Sequence, residues 1–399
     1  MTLPLSGLKI LDFTTLLPGP YATQILADMG ADVLRIEAPK RIDLTRFMPP
    51  MLEDAPDRSA AHASINRNKR AIAIDLKQPQ AKEIIARLLA DYDIVIEQFR
   101  PGVMARLGLD YESLKAIKPN LIYCSITGYG QTGAFKDRAG HDINYLALSG
   151  LASYSGKQKT GPTLSGTQIA DVAGGSHHAV MGILAAVIQR SANGEGQHID
   201  ISMTDASLAL TTMFGAAALV SGKDPGLGTE ILNGGIFYDY YQTSDERYFS
   251  VGSLEPQFAQ AFFAALGHEE WLARTMEQDE TQQQLLKRDI QTVFASRSFA
   301  EWTDVFASLD CCVEPVLTLS ETQSLPHFQE RALFAQVPIS EGNDVKKVTQ
   351  VASPIKFSNS EPVYRHIGAG LGEHTQEVLL NYDYCEEEIT AMREGESIL

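Results

Sequence analysis

Cysteine is scarce: Cys124, Cys311, Cys312 and Cys385 are the four in 399 residues, with no C-x-x-C pair and no histidine-flanked cluster. Adjacent Cys311 and Cys312 would bridge poorly, so no disulfide framework or metal centre is expected, and free thiols suit a reducing compartment. Positive charge is also short, 33 Lys and Arg against 50 Asp and Glu, for a formal net charge of −17. That excludes a general nucleic-acid binder, which needs a basic surface, but not one local basic pocket. Long apolar runs are missing, since "AVMGILAAVI" stops well short of a membrane span. The start "MTLPLSGLKILDF" has no basic lead, long apolar stretch or cleavage site, so a cytoplasmic protein with no membrane contact is expected. Phosphate-cradling glycines are absent too. "TTLLPGPYA" stands where G-x-G-x-x-G would follow the first strand, and no P-loop occurs, so a nicotinamide-type dinucleotide is not expected.

What is present alternates. "LKILDFT", "ADVLRIE", "AIAIDL", "DIVIEQ" and "NLIYCSIT" read as buried strands, separated by helical patterns such as "YATQILADMG" and "AKEIIARLLADY". Strands alternating with amphipathic helices predict βαβ units and a doubly wound, Rossmann-like parallel sheet with both faces covered. A long helix is predicted over about 168–191, then a strand "HIDISM" and one helix through "TDASLALTTMFGAAALV". After "SGKDPGLG" the texture changes to antiparallel strands and further helices. The expected organisation is a large α/β domain over 1–222 completed by 326–399, a linker at 223–231, and a smaller α+β domain at 232–325.

Four features carry chemistry. "NRNKR" brings Arg67, Lys69 and Arg70 together, and "FRPGVMARLG" holds Arg100 and Arg106. Either could grip phosphates through charge-assisted hydrogen bonds, or be a solvated basic turn. In "GHDINY", Gly140 precedes His141, and Asp142 to Tyr145 open a helix. Backbone N–H groups at a helix start stabilise an oxyanion and favour neutral imidazole, as a general base requires. Equally, Asp142 caps the helix while His141 faces water. In "QIADVAGGSHHAV", Asp171 lies among small apolar residues, with Gly174 and Gly175 following. That suits close approach of a ligand, or an N-cap aspartate with glycines for tight packing. Neighbouring His177 and His178 point to different helix faces, so no metal site is expected.

Taken together these residues resemble the class III CoA-transferase superfamily (CaiB/BaiF, carnitine-dehydratase), and within it the alpha-methylacyl-CoA racemase branch. The likeness runs along almost the whole chain, through "PGPYATQILADMGADVLRIE", "RPGVMARLGLD", "LIYCSITGYGQTG", "ADVAGG", "GQHIDISM" and "GEHTQEVL". The racemase branch rests chiefly on "AGHDINYLALSG" and "LEPQF". The resemblance implies an interlocked homodimer acting on acyl-CoA in lipid metabolism, with no cofactor beyond the CoA thioester itself. It makes His141 and Asp171 the two bases, with Glu255 orienting or relaying near the histidine. Gly140, Asp142 and Tyr145 would border the thioester, and Arg67, Lys69, Arg70, Arg100 and Arg106 would be candidates for the CoA phosphates. In the transferases the aspartate matching Asp171 is instead a nucleophile that forms an acyl anhydride, and the position of His141 is not usually histidine. An acyl-CoA binder without turnover would need no base pair.

The chain departs from that pattern in three places. Ala38 stands where such racemases often carry arginine, with Lys40 and Arg41 nearby. "NGGIFYDYY" from Asn233 replaces a more usual "DGGAPFY", and the stretch before "NRNKR" is long.

Overall fold

The computed structural model describes residues 2–275, 277, 279–342 and 345–399. Contacts divide the chain into two compact units. The first holds Met1–Ser149, Ser165–Leu210 and His327–Leu399; the second holds Gly150–Leu164 and Thr211–Pro326.

Six parallel strands form the first unit's sheet: β1 (Lys9–Asp12), β2 (Asp32–Glu37), β3 (Arg70–Ala73), β4 (Ile94–Glu97), β5 (Ile122–Thr127) and β6 (His198–Ser202). Their order is β6-β5-β4-β1-β2-β3, so the winding reverses between β1 and β4. Strands such as β4, IVIE, are buried along their whole length because helices cover both faces. On one face Leu11, Leu34, Ile72, Val95 and Tyr123 meet α2 (Pro79–Leu88) and the C-terminal helices α11 (Thr375–Asn381) and α12 (Glu386–Glu394). On the other, Ile10, Val33, Ile94, Ile122 and Ile126 meet α1 (Pro18–Asp28) and α5, whose two segments are Ala170–His177 and His178–Asn193. Proline at the first turn starts α1 where a missing N–H costs nothing. The doubly wound α/β reading is the observed architecture.

Two readings need correction. α5 runs unbroken through 24 residues, and its length and mean hydropathy of 1.3 would suffice for a membrane span, which the short apolar runs did not suggest. Its Ala179, Val180, Ile183 and Ala186 pack into the core. The helix expected from Thr204 onward breaks at Leu210–Thr211 into α6 (Met203–Ala209) and α7 (Thr212–Ser221), and the break is also the boundary between units.

The second unit starts earlier than the 223–231 linker. Tyr154 O accepts from Asn233 Nδ2 at 3.0 Å, and Lys157 Nζ reaches Asp239 at 2.9 Å, which ties Gly150–Leu164 to this unit. Its antiparallel sheet, β7 (Asp239–Gln242), β8 (Tyr248–Val251) and β9 (Val313–Pro315), packs against α8 (Pro256–Leu266), α9 (Glu280–Phe294) and α10 (Phe299–Phe306). The core is aromatic: Phe237, Tyr241, Phe249, Phe262, Phe263, Phe294, Trp302 and Phe306. The indole of Trp302 donates to Phe294 O at 2.9 Å, satisfying its one polar atom.

Candidate active site

Gly140 and His141 lead into α4 (Asp142–Leu148), and a tyrosine fixes their turn. The Tyr145 hydroxyl donates to Gly140 O at 2.6 Å, and its buried ring fills the space beside Gly128 and Gly140. A Cβ at Gly140 would stand 2.6 Å from Tyr145 Cε1, so only glycine fits this close approach. The backbone N–H of His141 donates to Asn144 Oδ1 at 3.0 Å, which closes the first turn of α4. His141 itself is exposed and extended, at φ −129° and ψ 172°. The Asp142 N–H, at the start of the helix, has no carbonyl of its own helix to meet.

Asp171 lies in the first, wide turns of α5, which wind as a π-helix over Ala170–His177. That winding displaces carbonyls from their usual donors, and side chains replace them. Ser176 Oγ donates to Pro18 O at 2.6 Å and to Asp171 O at 3.2 Å, while His178 Nδ1 donates to Ala173 O at 2.6 Å. Gly174 and Gly175 serve protein packing. A Cβ at Gly174 would be 3.2 Å from Met203 O, and one at Gly175 would be 2.9 Å from Pro18 Cβ. These contacts match the tight-packing reading of the two glycines, while Asp171 itself lies inside the helix rather than at its N-cap.

The two turns meet. Asp142 Oδ1 accepts the Asp171 N–H at 3.0 Å. Asp171 is half-buried, and burial first, then the Asp142 charge, pushes its carboxyl up to about 6, against the opposing pull of His141. A carboxyl so placed holds or releases a proton near neutral pH, as an acid–base group must. Burial pushes the Tyr145 phenol up to about 12, with Asp171 adding to the rise and the Arg100 cation opposing it. His141, Asp142, Asp171, Tyr145 and Arg100 therefore share one neighbourhood. Tyr145 supports the turn from inside, through its hydroxyl bond to Gly140 O.

The basic residues separate. Arg67 and Lys69 are each 1 % exposed. Arg67 grips Asp28 at 2.6 Å and Val351 O at 2.6 Å. Lys69 reaches Pro20 O at 2.8 Å, Asn66 Oδ1 at 2.9 Å and Asp12 at 3.4 Å. Both are thus committed to holding α1 against the sheet and are removed as phosphate ligands. Their carboxylate partners, Asp28 and Asp12, lie 39 and 57 residues away, so "NRNKR" could not show them. Arg70 is half-buried against Asp32 and Tyr92. Lys40 pairs with Glu396 on the surface. Arg100 and Arg106 remain exposed, on either side of the αL Gly102 that opens α3 (Val103–Leu107).

The long stretch before "NRNKR" forms an ion cluster the sequence did not announce. Asp43 pairs with Arg35, Arg46 chelates Glu37, and all four are buried. The signal was present in β2, where Arg and Glu interrupt a strand that is otherwise core. Beside the switch between β1 and β4, Gln98 bridges the two loops by accepting from Gly19 N and donating to Thr15 O. Another unannounced group is Glu97, pushed up to about 7 by burial at the end of β4. It lines a cleft of about 230 Å³ with Arg100, Tyr111, Ser125, Gln131 and His198. In the second unit, Glu255 stands exposed just before α8, with its charge felt at Cys312.

The profile of CoA-transferase family III matches residues 5–375. The chain is 34 % identical over 388 residues to an alpha-methylacyl-CoA racemase of Homo sapiens, covering 96 % of this chain and 95 % of that one. It is equally 34 % identical over 408 residues to a succinate–glutarate CoA-transferase of Agrobacterium fabrum, covering 97 % and 98 %. A crystal structure of a CaiB/BaiF family protein from Brucella suis superposes with a TM-score of 0.84 at 29 % identity, over 96 % of this chain and all of the other.

Proposed function

Because this chain belongs to CoA-transferase family III, a family of enzymes acting on acyl-CoA, we propose that it interconverts the enantiomers of a 2-methylacyl-CoA. The observation that carries this reading is the junction of the His141 turn with Asp171, where the Asp171 N–H donates to Asp142 and burial pushes the Asp171 carboxyl up to about 6.

Racemisation removes the proton from the carbon beside the thioester and returns one to the opposite face. Two groups, each able to hold or give up a proton, supply both directions. In the proposed reaction neutral His141 takes the proton from one enantiomer, and protonated Asp171 delivers to the other face. The electron pair left behind moves into the thioester carbonyl, giving an enolate. Its oxygen calls for a fixed donor, and the Asp142 N–H at the head of α4, beside His141, would supply one. The CoA portion would lie at the carboxyl ends of the strands beside the β1–β4 reversal, where open α/β sheets bind ligands. Exposed Arg100 and Arg106 follow β4 there and are the retained candidates for its phosphates. Binding energy from that remote part then holds the reacting carbon between the two groups.

The second reading is CoA transfer, favoured by the equal identity to a transferase. There the Asp171 carboxylate attacks the thioester carbonyl, forms an acyl anhydride and expels CoA as thiolate. One experiment separates the two: a single enantiomer of a 2-methylacyl-CoA in deuterium oxide, followed by NMR and chiral analysis. Racemisation gives loss of the α-proton and growth of the other enantiomer with no acceptor acid. No exchange, with CoA transfer once a carboxylate is added, replaces it with the second reading.

We also propose a homodimer. Met181 and Ile188 on α5 are 55 % and 72 % exposed, and Leu219 and Val220 on α7 are 89 % and 91 % exposed, which is apolar surface that association would cover. Sedimentation equilibrium at twice the chain mass supports this; a monomer at micromolar concentration overturns it.

A further inference from the structure

The bond between the two turns is made by a side chain that the proposed reaction leaves idle. Asp142 enters that reaction through its backbone N–H alone, yet its carboxylate accepts the Asp171 N–H from another helix, 29 residues away. A helix begins with backbone donors that no carbonyl of its own can meet, and a polar side chain just before it ordinarily supplies the acceptor. Ile169, at the head of this helix, has no such atom and makes no side-chain cap bond. The acceptor therefore comes from the residue next to His141.

Resting on the reading above, we infer that Asp142 is the positioning residue of the pair: its carboxylate fixes the turn that carries Asp171 and places a second negative charge beside it. One group thus links the placement of both arms, since the same residue follows His141 in the chain and caps the Asp171 helix in space. The second charge also favours the protonated form of Asp171, in agreement with the direction of its proton affinity.

The other groups around this helix are accounted for. α4 brings His141, Asp142 and Tyr145, the three whose mutual influence with Asp171 is felt. α1 brings Tyr21, whose ring lies 6.0 Å from that of His177, and Asp28, bound to Arg67. α6 brings the exposed Asp205, and β6 brings His198, bonded to Ser125, and Asp200, which accepts from Gln131 N. Further along α5, His178 is occupied by Ala173 O.

The charge and the tether can be tested apart, because an amide keeps the acceptor oxygen and loses the charge. In Asp142→Asn, exchange from the enantiomer whose proton Asp171 removes should have the acid limb of its pH profile moved to lower pH, because the base then loses its proton more readily. The Asp171 carboxyl, followed by isotope-edited carbon NMR with Asp171→Asn as the assignment control, should titrate at lower pH in step. Asp142→Ala should lose a further ~10- to 100-fold in kcat with KM little changed, as a displaced acid–base group does. An unmoved pH limb and an unmoved carboxyl titration in Asp142→Asn overturn the inference. Absence of exchange in the wild type overturns racemisation instead, and the titration still reports whether Asp142 acts on Asp171. Should Asp142→Ala fail to fold, Asp142→Asn and the titration carry the test alone.

Discussion

The turn that carries His141 and the turn that carries Asp171 are built in opposite ways. The first is held from within: Tyr145 to Gly140 and His141 to Asn144 both close within five residues. The second is held from outside, by Asp142, Pro18 and the backbone of α6. Their surroundings differ to match. His141 is exposed at the head of a seven-residue helix, whereas Asp171 is half-buried in a wide turn whose carbonyls need side-chain donors. A locally built turn can present a group to solvent. A turn assembled by several elements can withdraw a carboxyl from water and so raise its hold on a proton. The comparison teaches that one arm can be exposed by a turn built from its own neighbours, while the other has its hold on a proton raised by elements packed from outside.

The sharpest way to break this comparison is to remove each arm. His141→Ala should slow α-proton exchange from one enantiomer by ~10²- to 10⁴-fold while leaving exchange from the other measurable. Asp171→Asn should show the mirror pattern. The measurement is deuterium wash-in followed by NMR on each pure enantiomer; equal losses from both enantiomers in both variants would end the assignment of one arm to each face.

A smaller effect tests the local construction of the His141 turn. Gly140→Ala places a methyl 2.6 Å from the Tyr145 ring and 2.8 Å from Tyr129 Oη. Overpacking of that kind costs ~1–3 kcal/mol, so thermal unfolding should come several degrees earlier and exchange should fall. Gly166→Ala, where the added methyl meets nothing within 4 Å, should leave both unchanged. Equal behaviour of the two variants would mean that Tyr145 does not set the turn.

The sequence was read well where contacts are short in range or periodic. β4 is apolar up to its last residue, Glu97, and α2 is amphipathic, so the alternation that produces the parallel sheet is written in their spacing. "GHDINY" could likewise be taken as a helix start headed by histidine because glycine, cap and first turn are adjacent residues. The basic residues were misread for the converse reason. Arg67 and Lys69 look like a phosphate grip in isolation, and their carboxylate partners Asp28 and Asp12 sit in elements folded against them from far along the chain. The same holds for the glycines after Asp171, whose neighbours belong to α1 and α6.

By itself, then, the sequence determined the α/β class, the family likeness and the two residues on which proposed chemistry rests, because these depend on periodicity and on motifs of adjacent residues. Only the tertiary structure decided which charges are spent inside the protein, where the second unit begins, and that Asp142 reaches Asp171. Each of those depends on which distant segments the sheet and helices bring within a few ångströms, and on how much water they exclude there. Burial and long-range partners set the proton affinity of a carboxyl, and neither is a property of its neighbours in the chain.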